Sequence, residues 1–209
     1  MKNRAKLNDL KRKRKFYDYL LIGLIVTFAF FGSVVLIRNY NINKASKDAK
    51  KVLESFKSLD DVYISNSDIA YTKDDTKIGG YKVIGSIKIE SIGLEYPILD
   101  RTTPESLDLS ITKLSGPKLN ALGNVSLAGH HSFAGNLFGR LAMVNIGDIV
   151  EITDLSKTTL KYQVYKIYSV TPDNTSPLKT TDRKVRELTL VSCTQNGKKR
   201  IIVKALEVE

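Results

Sequence analysis

The chain has few of the residues that form covalent or metal cross-links. Its 209 residues include one cysteine, two histidines and five scattered prolines. A single cysteine cannot form an intramolecular disulfide. Zinc takes three or four Cys, His or carboxylate ligands at close spacing, and two adjacent histidines with one distant cysteine do not supply that set. The sequence therefore predicts no disulfide framework, no metal site and no proline-rich linker.

Positive charge is concentrated at the N-terminal end. Residues 1–15 contain eight lysines and arginines and one acid, which leaves +4 of the formal charge of +11 for everything after them. A nucleic-acid-binding domain is expected to carry its basic patch on the folded domain. This distribution therefore predicts no nucleic-acid partner.

A charge-free run follows the basic tail. Residues 20–37 read LLIGLIVTFAFFGSVVLI, and 18 residues of helix span about 27 Å, close to the hydrocarbon thickness of a bilayer. A secretory signal has a shorter apolar core of about 7–15 residues and a small-residue cleavage site. No clear A-x-A follows the run, and the flanking cations argue against a buried core helix. We predict an uncleaved transmembrane anchor over residues 17–38.

The positive-inside rule sets the expected orientation. It places residues 1–16 in the cytoplasm as a basic tail and the chain after the anchor outside the cell. The outer flank also carries positive charge, at Arg38 and Lys44, so the predicted orientation depends on the larger number of positive charges on the inner flank. The sequence thus predicts a single-pass protein of the cell membrane, in contact with the lipid bilayer. An unpaired thiol in such a domain points to intermolecular pairing or to catalysis.

Residues 39–79 are predicted to be a linker with a short amphipathic helix. Val52, Leu53, Phe56 and Leu59 fall at helical spacing. Polar residues over 62–79, ending in two glycines, indicate a loop. Residues 80–209 then show short runs rich in Ile, Val and Tyr with turn signals between them, which predicts a mostly β domain, a barrel or a sandwich. Residues 106–116 are expected to form a short helix or 3₁₀ turn.

The only cysteine lies at the end of one of these runs, in TLVSCTQNGKKRIIVKA. If the runs on either side of the Asn196-Gly197 turn signal are neighbouring strands, Cys193 and Arg200 lie at facing strand ends. The nucleophilic form of cysteine is the thiolate, which a nearby cation favours. A guanidinium can also hydrogen-bond a developing oxyanion. The residues alone leave two interpretations open, a buried structural cysteine and a nucleophile.

The two histidines are adjacent, in NVSLAGHHSFAGNLFGRL. A strand-like run leads into Gly129, so His130 is expected at a strand end over a cleft. Successive side chains of an extended chain point to opposite sides, so at most one of His130 and His131 faces a given site.

These two blocks together resemble the signatures of the sortases, cysteine transpeptidases of Gram-positive cell surfaces. TLVSC followed by RIIVKA is similar to the family's T-L-x-T-C and its arginine at the start of the last strand, with Ser192 in place of the usual threonine. AGH is similar to the segment in which the histidine after Ala-Gly is catalytic, which selects His130. The length of chain between His130 and Cys193 suits class A and class D-like members.

The resemblance implies an eight-stranded sortase-type β-barrel with short helices over residues 80–209, after the N-terminal transmembrane helix. It implies that Cys193 attacks an LPxTG-like sorting signal between Thr and Gly, that His130 protonates the leaving amine and that Arg200 stabilises the oxyanion. The implied partners are surface proteins with such a C-terminal signal and a cell-wall precursor amine.

By the same resemblance, Ala128 and Val191 match positions that line the pocket for the Leu-Pro part of the signal. Plain core packing is the competing interpretation of both. Residues 169–185 would form the loop that shapes specificity. Some class A members bind calcium near this loop, which here holds only Asp173 and Asp182 as acids. No cofactor is predicted, and calcium stays an open alternative.

Two other functions compete with this interpretation. An L,D-transpeptidase-like enzyme or another cysteine peptidase is one, although the former has His-Gly before its cysteine where this chain has Val191-Ser192. A non-catalytic surface binding module is the other, and it would be indicated by loss of the cysteine, histidine or arginine, all of which are present.

Overall fold

The structure is a computed structural model that describes residues 2–58, 77–132, 135–194 and 196–209. The chain forms two compact units, Met1–Lys44 and Ala45–Glu209. Each is described by itself. Helix α1, Lys2–Ser58, supplies all of the first unit's described structure and the first segment of the second.

Within the first unit, the span Tyr17–Ile37 is long and apolar enough to cross a membrane. Its side chains are exposed throughout. Two of its hydroxyl groups are satisfied within the helix, because Thr27 donates to the carbonyl of Leu24 and Ser33 to that of Phe30, at 2.7 and 2.8 Å. Polar groups in the hydrocarbon region of a bilayer must be hydrogen-bonded within the protein, and these two hydroxyl groups meet that requirement.

The described residues of the second unit form nine strands. They are β1 Lys77–Ile78, β2 Tyr81–Ile89, β3 Leu94–Leu99, β4 Ile111–Ser115, β5 Gly123–Ala128, β6 Ile149–Asp154, β7 Thr159–Val170, β8 Arg186–Cys193 and β9 Arg200–Val208. A short helix α2, Pro104–Leu109, precedes β4, and 3₁₀ helices occupy Glu90–Ile92, Phe138–Met143 and Ser176–Leu178.

Eight of these strands close into a barrel. The order is β2-β3-β4-β5-β8-β9-β7-β6, and the pairing of β6 with β2 closes the ring, while β1 pairs only with β2. The pairs β3–β4 and β5–β8 are parallel and the others antiparallel. The predicted eight-stranded barrel with short helices is confirmed.

The barrel interior is apolar and tightly filled. Side chains with essentially no exposed surface come from most of the strands, and they include Ile87, Ile89, Ile98, Ile111, Leu127, Ile152, Leu188, Leu190 and Val203. Because side chains alternate along a strand, the residues between these positions lie on the outer face. That alternation decides which residues of β5, β8 and β9 can form a surface site.

The last turns of α1 pack on the barrel. Ala49 and Leu53, four residues apart on one face of the helix, are 0% and 5% exposed, and Lys57 forms an ion pair with Glu95. The side chain of Phe56 and all of Leu59 lie outside what the structure describes, as does the predicted loop as far as residue 76. Gly79 and Gly80 form the turn between β1 and β2.

The segment over residues 106–116 differs from expectation in its second half. Helix α2 ends at Leu109, and β4 begins at Ile111. Ile111 pairs with Ile98 of β3 in parallel, and Thr112 pairs with Ala128 of β5. These partners are distant in sequence, so tertiary pairing rather than local pattern selects the strand.

Candidate active site

Three strand ends meet at one edge of the barrel. On β8, Leu188 and Leu190 point into the core, so the side chains of Val191 and Cys193 point outward. On the neighbouring strand β9, Val203 and the other odd-numbered residues point inward, which leaves the even-numbered ones on the outer face. The outer faces of β8 and β9 thus form one continuous surface at the end where Cys193 lies.

Cys193 and Arg200 are direct partners across the β8–β9 pair. Directly opposed residues on antiparallel strands carry their side chains on the same face, with Cβ atoms about 4.5–5.5 Å apart. Cys193 is a free thiol and is half-buried. The thiol is therefore reachable from solvent and has a guanidinium-bearing residue as its cross-strand neighbour.

A tight turn joins these two strands. Thr194 donates its backbone N–H to the carbonyl of Lys199 at 2.9 Å, and Gly197 donates to the carbonyl of Thr194 at 2.8 Å. Gly197 has a φ of 70°, which its lack of a side chain permits. The Arg200 guanidinium bonds the turn, donating from Nη1 to the carbonyl oxygens of Gly197 and Lys199 at 3.3 and 3.4 Å.

His130 lies directly beyond the end of β5, next to the end of β8. Ala128 pairs with Val191 in parallel register, and Gly129 continues the ladder by donating to the carbonyl of Val191 at 3.1 Å. Two residues beyond the Ala128–Val191 pair, the two chains reach His130 on one side and Cys193 on the other. The imidazole and the thiol thus belong to adjacent strand ends.

The backbone that presents His130 is held closely from behind. A Cβ added at Gly129 would lie 2.6 Å from Ile111 Cδ1 and 2.8 Å from Phe138 Cδ2. The carbonyl of His130 accepts a hydrogen bond from the Phe138 N–H at 3.1 Å. Only glycine fits before this histidine, so its backbone position is determined by core packing.

Ser192 occupies the position where the family that the sequence resembles usually has threonine. It contacts the segment before His130 from the β8 side. It is 2% exposed and donates its hydroxyl to the carbonyl of Gly129 at 3.1 Å. The bond links the strand of the thiol to the strand of the histidine. A threonine hydroxyl could make the same bond, which gives a physical reason for a hydroxyl at this position.

An acidic side chain that sequence reasoning missed contacts His130. Asp108 Oδ1, in α2, lies 3.3 Å from His130 Nε2, and the two side chains are 77% and 44% exposed. No local pattern singles out this acid, since β4 and β5 both lie between it and the histidine in the chain. The packing of α2 beside β4 brings it to the imidazole.

Ala128 and Val191 lie side by side on the outer face, as register partners. Ala128 is 8% exposed and Val191 is half-buried. The segment between β7 and β8 covers the same face farther along. Asn124 donates from Nδ2 to the carbonyl oxygens of Pro177 and Lys179 at 3.0 and 3.2 Å, and Thr189 donates to Asn124 Oδ1 at 2.7 Å.

The Ala128–Val191 pair leads along this outer face to Cys193, and the anchored segment around Pro177 lies on the same face. Within the described ranges, no group of three or more His, Cys, Asp or Glu side chains is placed to hold a metal ion. The chemistry that these residues offer is a thiol nucleophile, an imidazole proton donor and a guanidinium.

Known proteins share this fold and sequence pattern. The family model described as "Sortase domain" matches residues 87–208. Sortase A of Bacillus anthracis is 32% identical over 125 residues, which are 58% of this chain and 58% of the relative. Sortase A of Listeria monocytogenes is 29% identical over 129 residues, 60% of this chain and 57% of the relative. The chain thus matches less than two thirds of the length of these curated relatives.

Solved structures agree with the sequence matches. A sortase D5 transpeptidase of Clostridium perfringens superimposes with a TM-score of 0.61 at 27% identity, covering 78% of this chain and 99% of that one. A sortase C of Clostridium perfringens, solved with the C-terminal cell wall sorting motif, superimposes with a TM-score of 0.56 at 26% identity, covering 81% and 86%.

Proposed function

The chain belongs to the sortase family of transpeptidases, and from this premise we propose that it cleaves an LPxTG-like sorting signal between Thr and Gly and joins the threonine to a cell-wall amine. The observation that carries the proposal is the direct register pairing of Cys193 with Arg200 beside the strand end that bears His130. The three residues that we propose as nucleophile, acid and oxyanion donor therefore lie at one edge of the barrel.

In the first half-reaction the Cys193 thiolate attacks the threonine carbonyl carbon. A C–S bond forms and the carbonyl electron pair moves to oxygen, which gives a tetrahedral oxyanion. When the oxyanion collapses, the C–N bond to glycine breaks and the imidazolium of His130 gives its proton to the departing amine. The product is a thioester on Cys193, as in other two-step nucleophilic catalysis.

The second half-reaction returns the enzyme to its starting state. The nitrogen of an incoming amine attacks the thioester carbonyl, the C–S bond breaks and the neutral imidazole of His130 accepts the proton that the amine loses. A new amide bond forms and Cys193 leaves as thiolate. The incoming amine takes the place of water, so the reaction is a transfer rather than a hydrolysis.

Arg200 would stabilise the oxyanion formed in both steps. Its guanidinium bonds the carbonyls of the adjacent turn through long contacts of 3.3 and 3.4 Å, so a small rotation could exchange these bonds for bonds to substrate oxygen. A planar guanidinium offers two parallel N–H donors, which a lysine ammonium does not. Ala128 and Val191 would form the floor against which the Leu-Pro part of the signal packs.

The substrates and the setting belong to the same proposal. We propose surface proteins with an LPxTG-like C-terminal signal as acyl donors and a cell-wall precursor amine as acceptor. The span Tyr17–Ile37 would anchor the enzyme in the cell membrane, with residues 1–16 in the cytoplasm and the barrel outside. Digestion of intact protoplasts with protease should remove the barrel and spare the tail; the opposite pattern would reject this orientation.

The chemistry is tested with the full chain purified in detergent, an LPxTG peptide and a small amine. We expect cleavage at the Thr–Gly bond, transfer to the amine and an acyl adduct on Cys193 in the mass spectrum. Cys193→Ala should form no adduct. Cleavage by this variant at the wild-type rate would reject the proposed nucleophile.

The adjacent histidines provide a matched pair of variants. His130→Ala should abolish turnover, because its loss removes the proton donor at the end of β5. His131→Ala changes the neighbouring residue in the same way and should leave turnover largely intact. Loss of activity in the second variant alone would assign the role to the other histidine.

A further inference from the structure

We infer that Asp108 is a positioning residue for the proposed proton donor, holding the His130 imidazole by its Nε2 in one orientation. The inference rests on the proposed function. It follows from the 3.3 Å contact between Asp108 Oδ1 and His130 Nε2, two side chains on separately anchored elements.

Helix α2, which carries Asp108, is held firmly despite its short length. At its start Thr103 and Ser106 form a reciprocal capping box, with hydrogen bonds of 3.1 and 2.8 Å. The Ser106 side chain has no exposed surface and also donates to the carbonyl of Arg101 at 3.0 Å. At its end, buried Ser110 donates to the carbonyl of Pro97 at 2.6 Å. The helix therefore presents Asp108 from a determined position.

Helix stability does not explain why an acidic residue occupies position 108 in α2. Acidic residues stabilise the first turn of a helix, where the backbone N–H groups are free, and are unfavourable in the last turn. Glu105 fits that rule, since a backbone hydrogen bond and then the Thr103 hydroxyl hold the pKa of its carboxyl below the usual value. Asp108 lies in the last turn, next to Leu109 at the helix end. Its contact with His130 supplies a reason that the helix itself does not.

The imidazole is equally restrained on its own side. Its backbone is fixed by the Phe138 N–H at the His130 carbonyl and by the packing of Gly129. The charged or titratable groups at this end of the elements beside it are Glu105 and Asp108 in α2, Lys113 in β4, Arg140 in the 3₁₀ helix Phe138–Met143, Cys193 in β8 and Arg200 in β9. Asp108 supplies the carboxylate that contacts the ring.

The carboxylate acts through the orientation of the ring. Its contact at Nε2 leaves Nδ1 as the ring nitrogen available to the thiol and the leaving amine. Asp108 does not touch the reacting atoms, so it acts through His130.

The test compares Asp108→Asn and Asp108→Glu with wild type, using the full chain in detergent. Both side chains are partly exposed, so the Asp108–His130 pair should contribute as much free energy as an exposed ion pair. We therefore expect kcat to fall about three- to five-fold in Asp108→Asn, with KM for the peptide unchanged. Asp108→Glu keeps the charge and should retain at least half of the wild-type kcat.

Two further readouts separate this role from a purely structural one. High salt screens exposed charges, so the difference between wild type and Asp108→Asn should shrink as ionic strength rises. Glu105→Gln removes one negative charge from the same helix and is the matched control, with kcat and its salt dependence as in wild type. A fall in kcat that is independent of salt, or an equal fall in the control, would overturn the inference.

A measurement that needs no turnover keeps this inference distinct from the proposed function. Carbon-13 relaxation NMR reports the mobility of the His130 ring, with the His131 ring as internal reference. The order parameter of the His130 ring should fall in Asp108→Asn and recover in Asp108→Glu, while that of His131 stays unchanged. Equal order parameters for His130 in all three proteins overturn the inference even if the enzyme is active, and a lowered value in Asp108→Asn supports it even if the LPxTG peptide is not cleaved.

Discussion

A buried ion pair ties together the strands that carry the proposed nucleophile and oxyanion donor. Lys204 Nζ in β9 lies 3.1 Å from Glu187 Oε2 in β8, and the two side chains are only 8% and 6% exposed. Tyr165 in β7 donates its hydroxyl to the other carboxylate oxygen at 2.5 Å. Three consecutive strands of the barrel are therefore linked on their outer face, and the register of β8 against β9 is what pairs Cys193 with Arg200.

The perturbation is Lys204→Met, which keeps the length of the side chain and removes its charge. The Glu187 carboxylate would then stay buried with one neutral hydroxyl as partner. Breaking a buried pair on one side costs about 3–5 kcal/mol of unfolding free energy, because the remaining charge is not compensated. An exposed pair contributes about 0–1 kcal/mol. The double variant Lys204→Met/Glu187→Leu removes both charges and should recover most of the loss.

The assay is urea unfolding of the full chain in detergent. The chain has no tryptophan, so tyrosine fluorescence reports the barrel. Lys88→Met is the matched control, since Lys88 pairs with Glu90 at 3.5 Å on the exposed surface, with side chains 42% and 87% exposed. If Lys204→Met costs no more than this control, or if the double variant is as unstable as the single one, the reasoning from burial is wrong.

Four other predictions rest on the same structure. Arg200→Lys should lower kcat about 100-fold in steady-state kinetics while the circular dichroism spectrum stays unchanged, because a point charge cannot replace two parallel donors to the oxyanion; wild-type kcat would contradict the role. Ser192→Ala should lower the free energy of unfolding in urea by about 1 kcal/mol, because the hydrogen bond to the Gly129 carbonyl is lost, and Ser192→Thr should not lower it. Burial, and then nearby Glu207, raises the pKa of Tyr162 to about 12. The contribution of Tyr162 to the free energy of unfolding is therefore fully present below its unfolded pKa of about 10 and is lost as pH rises toward 12. The unfolding free energy of Tyr162→Phe should decline less steeply than that of wild type between these two pH values. The proposed reaction uses protein groups alone, so EDTA should leave turnover unchanged, and a loss that calcium restores would contradict this.

The fold is largely predictable because most of its strands have a clear local pattern. Runs rich in Ile, Val and Tyr, separated by turn signals, predict seven strands of the barrel. The local pattern of the eighth, β4, indicates a helix or 3₁₀ turn instead. Its segment is too short to show a period of two, and what makes it a strand is pairing with β3 and β5.

The candidate site divides in the same way. Cys193 and Arg200 are close in the chain, and an Asn-Gly turn between two β runs is enough to predict that they face each other. His130 is far from the thiol in the chain, and only the resemblance to a family relates the two in the sequence. No sequence pattern predicts Asp108, because its contact depends on where a short helix packs.

The sequence by itself determined the features that depend on neighbouring residues: an apolar run long enough for a bilayer, the alternation that makes β strands, and the turn that joins thiol and guanidinium. The tertiary structure alone decided which distant segments share an edge of the barrel. Parallel pairing of β5 with β8 brings the strand end that bears His130 beside the one that bears Cys193, and anchoring of α2 by buried hydroxyls brings the carboxylate of Asp108 to the imidazole. Those contacts join segments that are far apart in the chain, and no local pattern encodes them because they arise from closure of the barrel around a common core.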